Sequence, residues 1–255
     1  MKLIFSGVVI PVSTIDWYGR SVSVVFFNGC NFKCIYCANN RFIEVSNRLE
    51  PLFKGGSVVD IVEIEKQILD TRSFISAIVF SGGEPTTQYD ALEHLAKFAK
   101  GLGLLVGIET NGYYPDRLSK LIDQELLDKI FLDIKAPLDD ANKYGTITGG
   151  KEDAAERARK SLDLRNVEME VRTTVFRSFA NVQGIARSLK DRNCTYVLQQ
   201  GLPENAPAGE IRKEKALTRD ELAALAKSIS FLKDVRIRTK EMGEERIVKS
   251  VSYLL

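Results

Sequence analysis

Six short apolar runs alternate with amphipathic helical patterns along most of this chain. The runs are rich in Val, Ile, Leu and Phe, as expected of strands that are covered on both faces. They are Ser23–Asn28, Ala77–Ser81, Leu104–Glu109, Ile130–Ile134, Glu168–Val175 and Thr195–Gln199. Helical patterns follow at Val58–Thr71, Tyr89–Lys100, Pro115–Leu127, Lys151–Leu164, Asn181–Lys190 and Thr218–Phe231. Such strand–helix units predict a parallel α/β sheet with right-handed crossovers, and they fit an incomplete, curved (β/α)6 barrel better than a closed eight-stranded one.

The length of the chain, 255 residues, suits one domain with a sizeable core. We expect a single domain over 1–255, with a strand or hairpin at 1–20, the barrel at 21–231 and a C-terminal extension at 232–255. Within that extension, Val235–Lys240 alternates apolar and charged residues, as an edge strand does.

The charge balance excludes some classes of partner. The formal net charge is +2, from 36 basic and 34 acidic residues, which does not indicate a nucleic-acid surface or an anionic membrane. No apolar run approaches the roughly 18 residues that a membrane span needs. The N-terminal stretch, broken by Gly7 and Pro11, lacks the pattern of a signal peptide, so we expect a cytoplasmic protein.

Three of the four cysteines lie within eight residues, in the spacing CxxxCxxC. Clustering of Cys30, Cys34 and Cys37 favours a metal site over a disulfide framework. Three thiolates can each bind one iron of a cubane cluster and leave the fourth iron open. A structural zinc site is the alternative, but it requires a fourth ligand, and the candidates His94 and Cys194 lie on a predicted helix and at a distant strand.

Polar residues follow the predicted strands at the end where barrel enzymes carry their chemistry. After the cysteines come Gly82-Gly83-Glu84-Pro85, Glu109-Thr110-Asn111-Gly112, Asp133-Ile134-Lys135, Arg172-Thr173-Thr174 and Gln199-Gln200-Gly201. The sequence therefore predicts one mouth that collects all of these groups.

The cysteine motif, with Tyr36 before its last cysteine, and the Gly-Gly-Glu-Pro motif together resemble the radical S-adenosylmethionine (SAM) superfamily. The resemblance implies a partial (β/α)6 barrel, a [4Fe–4S] cluster on the three cysteines, and SAM bound through its methionine group to the open iron. Reductive cleavage of SAM would then give a 5′-deoxyadenosyl radical. Gly82 and Gly83 would let the backbone approach the ligand, and Glu84 would accept a hydrogen bond from the methionine ammonium. An ordinary strand-to-helix turn is the alternative for that motif, and a core aromatic is the alternative for Tyr36 beside adenine.

The similarity extends to glycyl-radical-enzyme activating proteins, and most closely to the longer anaerobic ribonucleoside-triphosphate reductase activating proteins. Besides the strand-end motifs above, three segments carry this similarity: Ser13–Arg20, Glu170–Val175 and Tyr196–Gln200. It implies an anaerobic oxidoreductase with a glycyl radical enzyme as protein substrate and a flavodoxin or ferredoxin-like electron donor. Ala38-Asn39 and Asp16-Trp17-Tyr18-Gly19 depart from the usual His-Asn and Asp-x-Pro-Gly patterns, and these departures bear on the partner.

The same resemblance implies roles for the remaining strand-end residues. Glu109, Thr110 and Asp133 would lie near the methionine carboxylate, where some members hold a monovalent cation between carboxylates that otherwise repel. Lys135 and Arg172 would lie near the ribose or the carboxylate; the alternative is a buried charge network that pairs them with Glu109 and Asp133. Asn111 would bind the nucleoside or, as a simpler role, cap the next helix.

Three functions remain open at this point. The leading hypothesis is generation of a glycyl radical on a partner enzyme. The second is radical SAM chemistry on a small molecule, an RNA base or another peptide, and the third is a non-catalytic metal-binding or electron-transfer protein. A wide mouth would suit a protein loop and a lid would suit a small molecule; Trp17 is either core or, with Tyr18, part of that mouth.

Overall fold

A computed structural model describes residues 4–39, 58–179, 181–207 and 209–247. The strands are β1 (Ile4–Ser13), β2 (Val22–Phe27), β3 (Val58–Asp60), β4 (Ala77–Gly82), β5 (Leu105–Thr110), β6 (Lys129–Asp133), β7 (Glu168–Val175), β8 (Thr195–Gln200), β9 (Val235–Thr239) and β10 (Gly243–Arg246). The α-helices are α1 (Ile61–Thr71), α2 (Tyr89–Gly101), α3 (Pro115–Asp123), α4 (Ala141–Thr148), α5 (Ala154–Leu162), α6 (Val182–Leu189) and α7 (Arg219–Ser228).

All ten strands belong to one sheet, in the order β10-β9-β8-β7-β6-β5-β4-β2-β1-β3. Parallel pairing runs unbroken from β2 through β4, β5, β6, β7 and β8 to β9. The six predicted strands are therefore confirmed, as is the α/β class with its parallel sheet. Because the carboxyl ends of parallel strands lie at the same edge, the polar strand-end motifs meet there.

The two ends of the sheet differ from the prediction in informative ways. Strand β1 forms an antiparallel hairpin with β2, in agreement with the predicted N-terminal strand. Residues 58–60, predicted as the start of a helix, instead form β3 beside β1, and Asp60 caps α1. Strand β9, predicted as an edge, pairs with β8 in parallel and with β10 on its other side.

Two helices also differ from the sequence pattern. Helix α3 ends at Asp123 and not at Leu127, because Glu125 adopts a left-handed conformation with φ of 57°. Helix α4 was not predicted, since its sequence ANKYGTIT contains Gly and Thr residues that disfavour helix. Its ends compensate: the Asp140 side chain accepts from the Lys143 N–H, and Gly149 ends the helix in the left-handed region.

Trp17 closes the inside of the barrel near the amino ends of β2 and β4. Its side chain is buried and meets the ring of Phe131 edge-on, with centroids 5.4 Å apart. The core alternative for Trp17 is therefore confirmed, while Tyr18 remains 59% exposed. None of the helices in the described part of the chain combines the length and the apolar character that a bilayer crossing requires.

Candidate functional site

A cavity of about 420 Å³ opens at the carboxyl ends of the parallel strands. Every site residue that the sequence predicts, apart from Glu84, lines this cavity: Cys30, Cys34, Tyr36, Cys37, Gly82, Gly83, Glu109, Thr110, Asn111, Asp133, Lys135 and Arg172. The predicted meeting of the strand-end motifs at one mouth is thus what the fold produces.

The cysteine loop is held in place by the unpredicted helix α4. The backbone N–H groups of Lys33 and Ile35 donate to the carbonyls of Thr148 and Ile147, at 3.0 and 3.1 Å. The last turn of α4 therefore uses its free carbonyl groups to fix the loop that carries the cysteines. Cys37 is positioned in turn by its N–H, which donates to the Cys34 carbonyl at 3.1 Å.

The three thiols are suited to a metal cluster. Burial, with the nearby charge of Glu84, raises the pKa of Cys30 to about 12, and burial raises that of Cys34 to about 11. The positive charge of Lys135 partly offsets the rise in pKa, because it favours the thiolate at all three cysteines. Metal binding requires thiolates and releases their protons. Three thiols on one cavity wall fit a cubane cluster, whose irons take one thiolate each.

A single metal ion fits less well. Across residues 4–39, 58–179, 181–207 and 209–247, no three His, Cys, Asp or Glu side chains are grouped so as to hold one ion together. Cys194 is partly buried beside the hydrophobic core at the start of β8, and His94 binds Glu65 on the neighbouring helix at 2.8 Å. The zinc alternative therefore gains no fourth ligand from either residue.

The glycine pair after β4 is required by close contact with the cysteine loop. The N–H of Gly83 donates to the Phe27 carbonyl at 2.8 Å. A Cβ on Gly83 would lie 2.1 Å from the carbonyl oxygen of Gly29 and 3.3 Å from the Cβ of Cys30. At Gly82, φ is +115° and a Cβ would lie 2.3 Å from the Phe27 oxygen. Any larger residue would push the cysteine loop out of position.

Glu84 is not among the residues that line the cavity, so its expected contact with a methionine ammonium stays a prediction. Its side chain is fully buried, and Oε2 accepts from the Asn111 N–H at 2.8 Å. Oε1 accepts from the hydroxyl of Thr110 at 2.9 Å and from the N–H and hydroxyl of Thr86. These donors fix the carboxylate beside the end of β5. Burial raises the pKa of Glu84, and the same hydrogen bonds lower it in part.

Asn111 also departs from the expected capping role. Helix α3 begins at Pro115 with Tyr114 before it, and among the described residues no side chain caps it. The Oδ1 of Asn111 accepts from the Tyr113 N–H at 3.0 Å, which closes a turn ahead of the helix. Its amide nitrogen faces the cysteine loop, where it donates to Asn31 Oδ1 at 2.9 Å.

Two acidic residues of the cavity, Glu109 and Asp133, are paired with bases. Glu109 accepts from Arg172 and from the hydroxyl of Ser81, and Asp133 accepts from Lys135. These contacts form the buried charge network that was the alternative to a cation site. Asp133 Oδ1 is nevertheless buried without a hydrogen-bond partner in the described part of the chain, so a monovalent cation there remains a prediction.

Tyr36 belongs to an aromatic cluster that also borders the cavity. Its ring stacks on Phe179, with centroids 5.0 Å apart, and lies 5.3 Å from the ring of Phe176. The Lys135 ammonium lies 5.6 Å from the Tyr36 ring centroid. The Tyr36 hydroxyl is buried with no partner among the described residues. Tyr36 is thus a core aromatic whose edge reaches the ligand space.

Further polar side chains line the cavity. Thr174 and Gln199 belong to the predicted strand-end motifs, and Ser81 ends a predicted strand. Sequence reasoning missed Asn205 and Arg238, and it noted Asp16 only as part of a departure from the family pattern. Burial and the charge of Glu109 raise the pKa of Asp16. A signal for Arg238 was present, because on β9 the residues at 235, 237 and 239 are buried on one face and Arg236 and Arg238 occupy the other. Two arginines on the face opposite the apolar one indicate a charged interior.

Comparison with known proteins decides the family. The model of the radical SAM superfamily matches residues 24–182, which include the cysteine loop and the first five of the parallel strands. The chain belongs to the radical SAM superfamily. Membership implies a [4Fe–4S] cluster and SAM, and the three thiols of the cavity fit that cluster.

Relatives of this radical SAM enzyme include activating enzymes. A protein of Methanocaldococcus jannaschii with the provisional name glycyl-radical enzyme activating enzyme is 35% identical over 94% of this chain and 97% of its own length. The pyruvate formate-lyase-activating enzyme of Clostridium pasteurianum is 27% identical, over 66% of this chain and 69% of its own. The crystal structure of archaeal TYW1 matches with a TM-score of 0.59 over 87% of this chain and 76% of that one, at 17% identity, which supports the fold alone.

Proposed function

We propose that this enzyme generates a glycyl radical on a partner enzyme, as an activase of the anaerobic ribonucleotide reductase type. When bound, the cluster and SAM together supply the 5′-deoxyadenosyl radical that takes a hydrogen atom from a glycine Cα. The near full-length similarity to a relative provisionally named as an activating enzyme supports this proposal.

Some residues of the site would bind the cluster and SAM, and others exclude water from the barrel. Cys30, Cys34 and Cys37 would hold the cluster, and the backbone at Gly82 and Gly83 would border SAM. Lys135 and Arg172 would donate hydrogen bonds to the methionine carboxylate or to the ribose hydroxyls. Trp17 and Phe131 fill the barrel at the end opposite the mouth. Water is therefore excluded at that end, and ligands enter through the mouth.

The observation that carries the protein-substrate proposal is the exposure of Ile15. This side chain lines the cavity and is still 74% exposed. The same segment exposes Ile10, Val12 and Tyr18, by 41, 45 and 59%. Apolar side chains that lead from the solvent into a catalytic cavity suit contact with another protein, whereas a small substrate would need them covered.

The test is the radical itself. Reduced enzyme and SAM, incubated without oxygen with each glycyl radical enzyme of the host, beginning with the anaerobic ribonucleotide reductase, should give a stable protein radical. Its electron paramagnetic resonance (EPR) signal should be a doublet from the one remaining α-hydrogen and should collapse to a singlet when glycine is deuterated. Val12→Asp, on the same exposed apolar segment but outside the cavity lining, should reduce the yield of radical and leave cleavage of SAM without a partner unchanged.

Cleavage of SAM without any glycyl radical signal would contradict the activase proposal and leave the family assignment intact. The second candidate, a small polar substrate, would then gain support from the charged wall formed by Asp16, Glu109, Arg172 and Arg238. The flavodoxin or ferredoxin-like donor and the cytoplasmic location belong to the same proposal and would be tested by reconstitution with the host's reductants and by cell fractionation.

A further inference from the structure

Among the cysteines of the motif, only the sulfur of Cys30 accepts from a side-chain donor in the described part of the chain. It accepts from the backbone N–H of Phe32 at 3.4 Å and from Nδ2 of Asn111 at 3.8 Å. At Cys34 and Cys37 the neighbouring donors are backbone groups, and no side-chain donor reaches either sulfur within the described ranges. Cys30 is therefore the ligand on which a side chain acts directly.

The orientation of the Asn111 amide is fixed by its neighbours. Its Oδ1 is occupied by the Tyr113 N–H at 3.0 Å, so the NH2 end must face the cysteine loop. That end also donates to Asn31 Oδ1 at 2.9 Å. The backbone of Asn111 is held in turn by Glu84, whose Oε2 accepts from its N–H at 2.8 Å. Both groups are buried, so these bonds form away from competing water.

We infer that Asn111 is a positioning residue that raises the reduction potential of the cluster through its hydrogen bond to Cys30, and that Glu84 fixes Asn111 for this purpose. The inference rests on the proposed function only in assuming a cluster on the three cysteines. Reduction adds negative charge that is shared with the ligand sulfurs, so an N–H donor stabilises the reduced state more than the oxidised state. A cluster that is easier to reduce can take the electron needed for SAM cleavage from a weaker reductant.

The test uses Asn111→Asp, which keeps the volume and the oxygen that accepts from Tyr113 but replaces the donor by a charged acceptor. Asn111→Leu removes the donor without adding charge. Both reconstituted variants should keep about four irons per chain. Their midpoint potentials, followed by EPR during anoxic titration, should be more negative than that of the wild type, and the shift should be larger for Asn111→Asp.

Asn205 provides a control, because it lines the same cavity but is exposed and makes no hydrogen bond to a cysteine among the described residues. Asn205→Leu should leave the potential unchanged, and Asn205→Asp should shift it by less than Asn111→Asp. A wild-type potential in iron-replete Asn111→Leu would overturn the inference and leave the radical SAM function untouched. Loss of iron from both Asn111 variants would also overturn it, because Asn111 would then build the site and not tune it. A wild-type protein that takes up no iron would count against the cluster itself.

Discussion

Arg172 and Glu170, two residues apart on β7, point to the same face of the strand and bind each other inside the barrel, with Nε 2.7 Å from Oε1. Nη1 of Arg172 continues to Glu109, and Lys129 binds the other oxygen of Glu170 at 2.9 Å. The pair therefore joins three strands through buried charges. Removing one member of such a network is costly, because the charge of its partner stays buried and unpaired.

The first prediction concerns the pH dependence of this network. Burial alone would raise the pKa of Glu170, but the charges of Arg172 and Lys129 outweigh it and lower the pKa from 4.5 to about 2. A depressed folded-state pKa means stabilisation that is present above the ordinary value and is lost as the pH falls toward about 2. Near neutral pH, Glu170→Gln should lower the free energy of unfolding by about 3–5 kcal/mol. In urea titrations this difference from the wild type should shrink below pH 4.5.

Glu168 offers the matched control for that experiment. It binds the same Lys129, at 2.8 Å, but its side chain is 60% exposed. Glu168→Gln should therefore cost less than about 1 kcal/mol. Equal losses from the two variants would contradict a special role for the buried pair.

A second prediction tests the packing of Trp17. A Cβ on Gly107 would lie 2.9 Å from both Phe131 Cε2 and Trp17 Cζ3, so Gly107→Ala should destabilise the protein by about 1–3 kcal/mol through overpacking. At Gly101, at the end of α2, no atom of the described residues lies within 4 Å of the Cβ position, so Gly101→Ala should be neutral or slightly stabilising. Thermal unfolding of the two variants measures the contrast. If Trp17→Phe in the Gly107→Ala background restores no stability, the clash lies elsewhere.

A third prediction follows from the position of Glu84. Glu84→Ala would leave the Asn111 N–H and the hydroxyls of Thr86 and Thr110 without their acceptor. The free energy of unfolding of the metal-free protein should fall by about 1–3 kcal/mol or more, since buried donors are left unsatisfied. Glu152→Ala, at an exposed position, should have little effect. Wild-type stability combined with weakened SAM binding would instead restore the role expected from the sequence, a direct contact with the ligand.

The fourth prediction concerns the cluster ligands. Protein reconstituted without oxygen should be brown and carry about four irons per chain. Replacing Cys30, Cys34 or Cys37 by Ala should abolish this, and Cys194→Ala should not. Iron analysis and the visible spectrum measure the outcome. Full iron in Cys34→Ala, or zinc with no iron in the wild type, would refute the ligand assignment.

The sequence was informative where one residue acts in its own local context. The spacing of Cys30, Cys34 and Cys37 and the strand-end position of Gly82 and Gly83 follow from motifs, and the structure brings them to one cavity. Apolar runs likewise predicted the six central strands, because burial on both faces leaves a strong compositional signal.

The sequence was least informative where two distant residues decide an outcome together. The Glu84 carboxylate is held by donors at Thr110 and Asn111, more than twenty positions along the chain. Trp17 lies inside the barrel because Gly107 leaves room for it. Helix α4 has weak propensity and exists through its caps and its bonds to the cysteine loop. None of these relationships has a periodic pattern that a local reading detects.

The order of the strands has a mechanical consequence. The sheet runs from β10 to β3, and these two strands are not paired with each other in the described part of the chain, so its wall has a seam. Widening a seam breaks no backbone hydrogen bond between strands, whereas widening a closed barrel would break a whole ladder. The exposed apolar side chains at Ile10 and Val12 lie on β1, next to one side of that seam. For the proposed protein substrate, a wall of this kind can yield at a cost limited to side-chain contacts, while β2, which leads into the cysteine loop, keeps its register with β4.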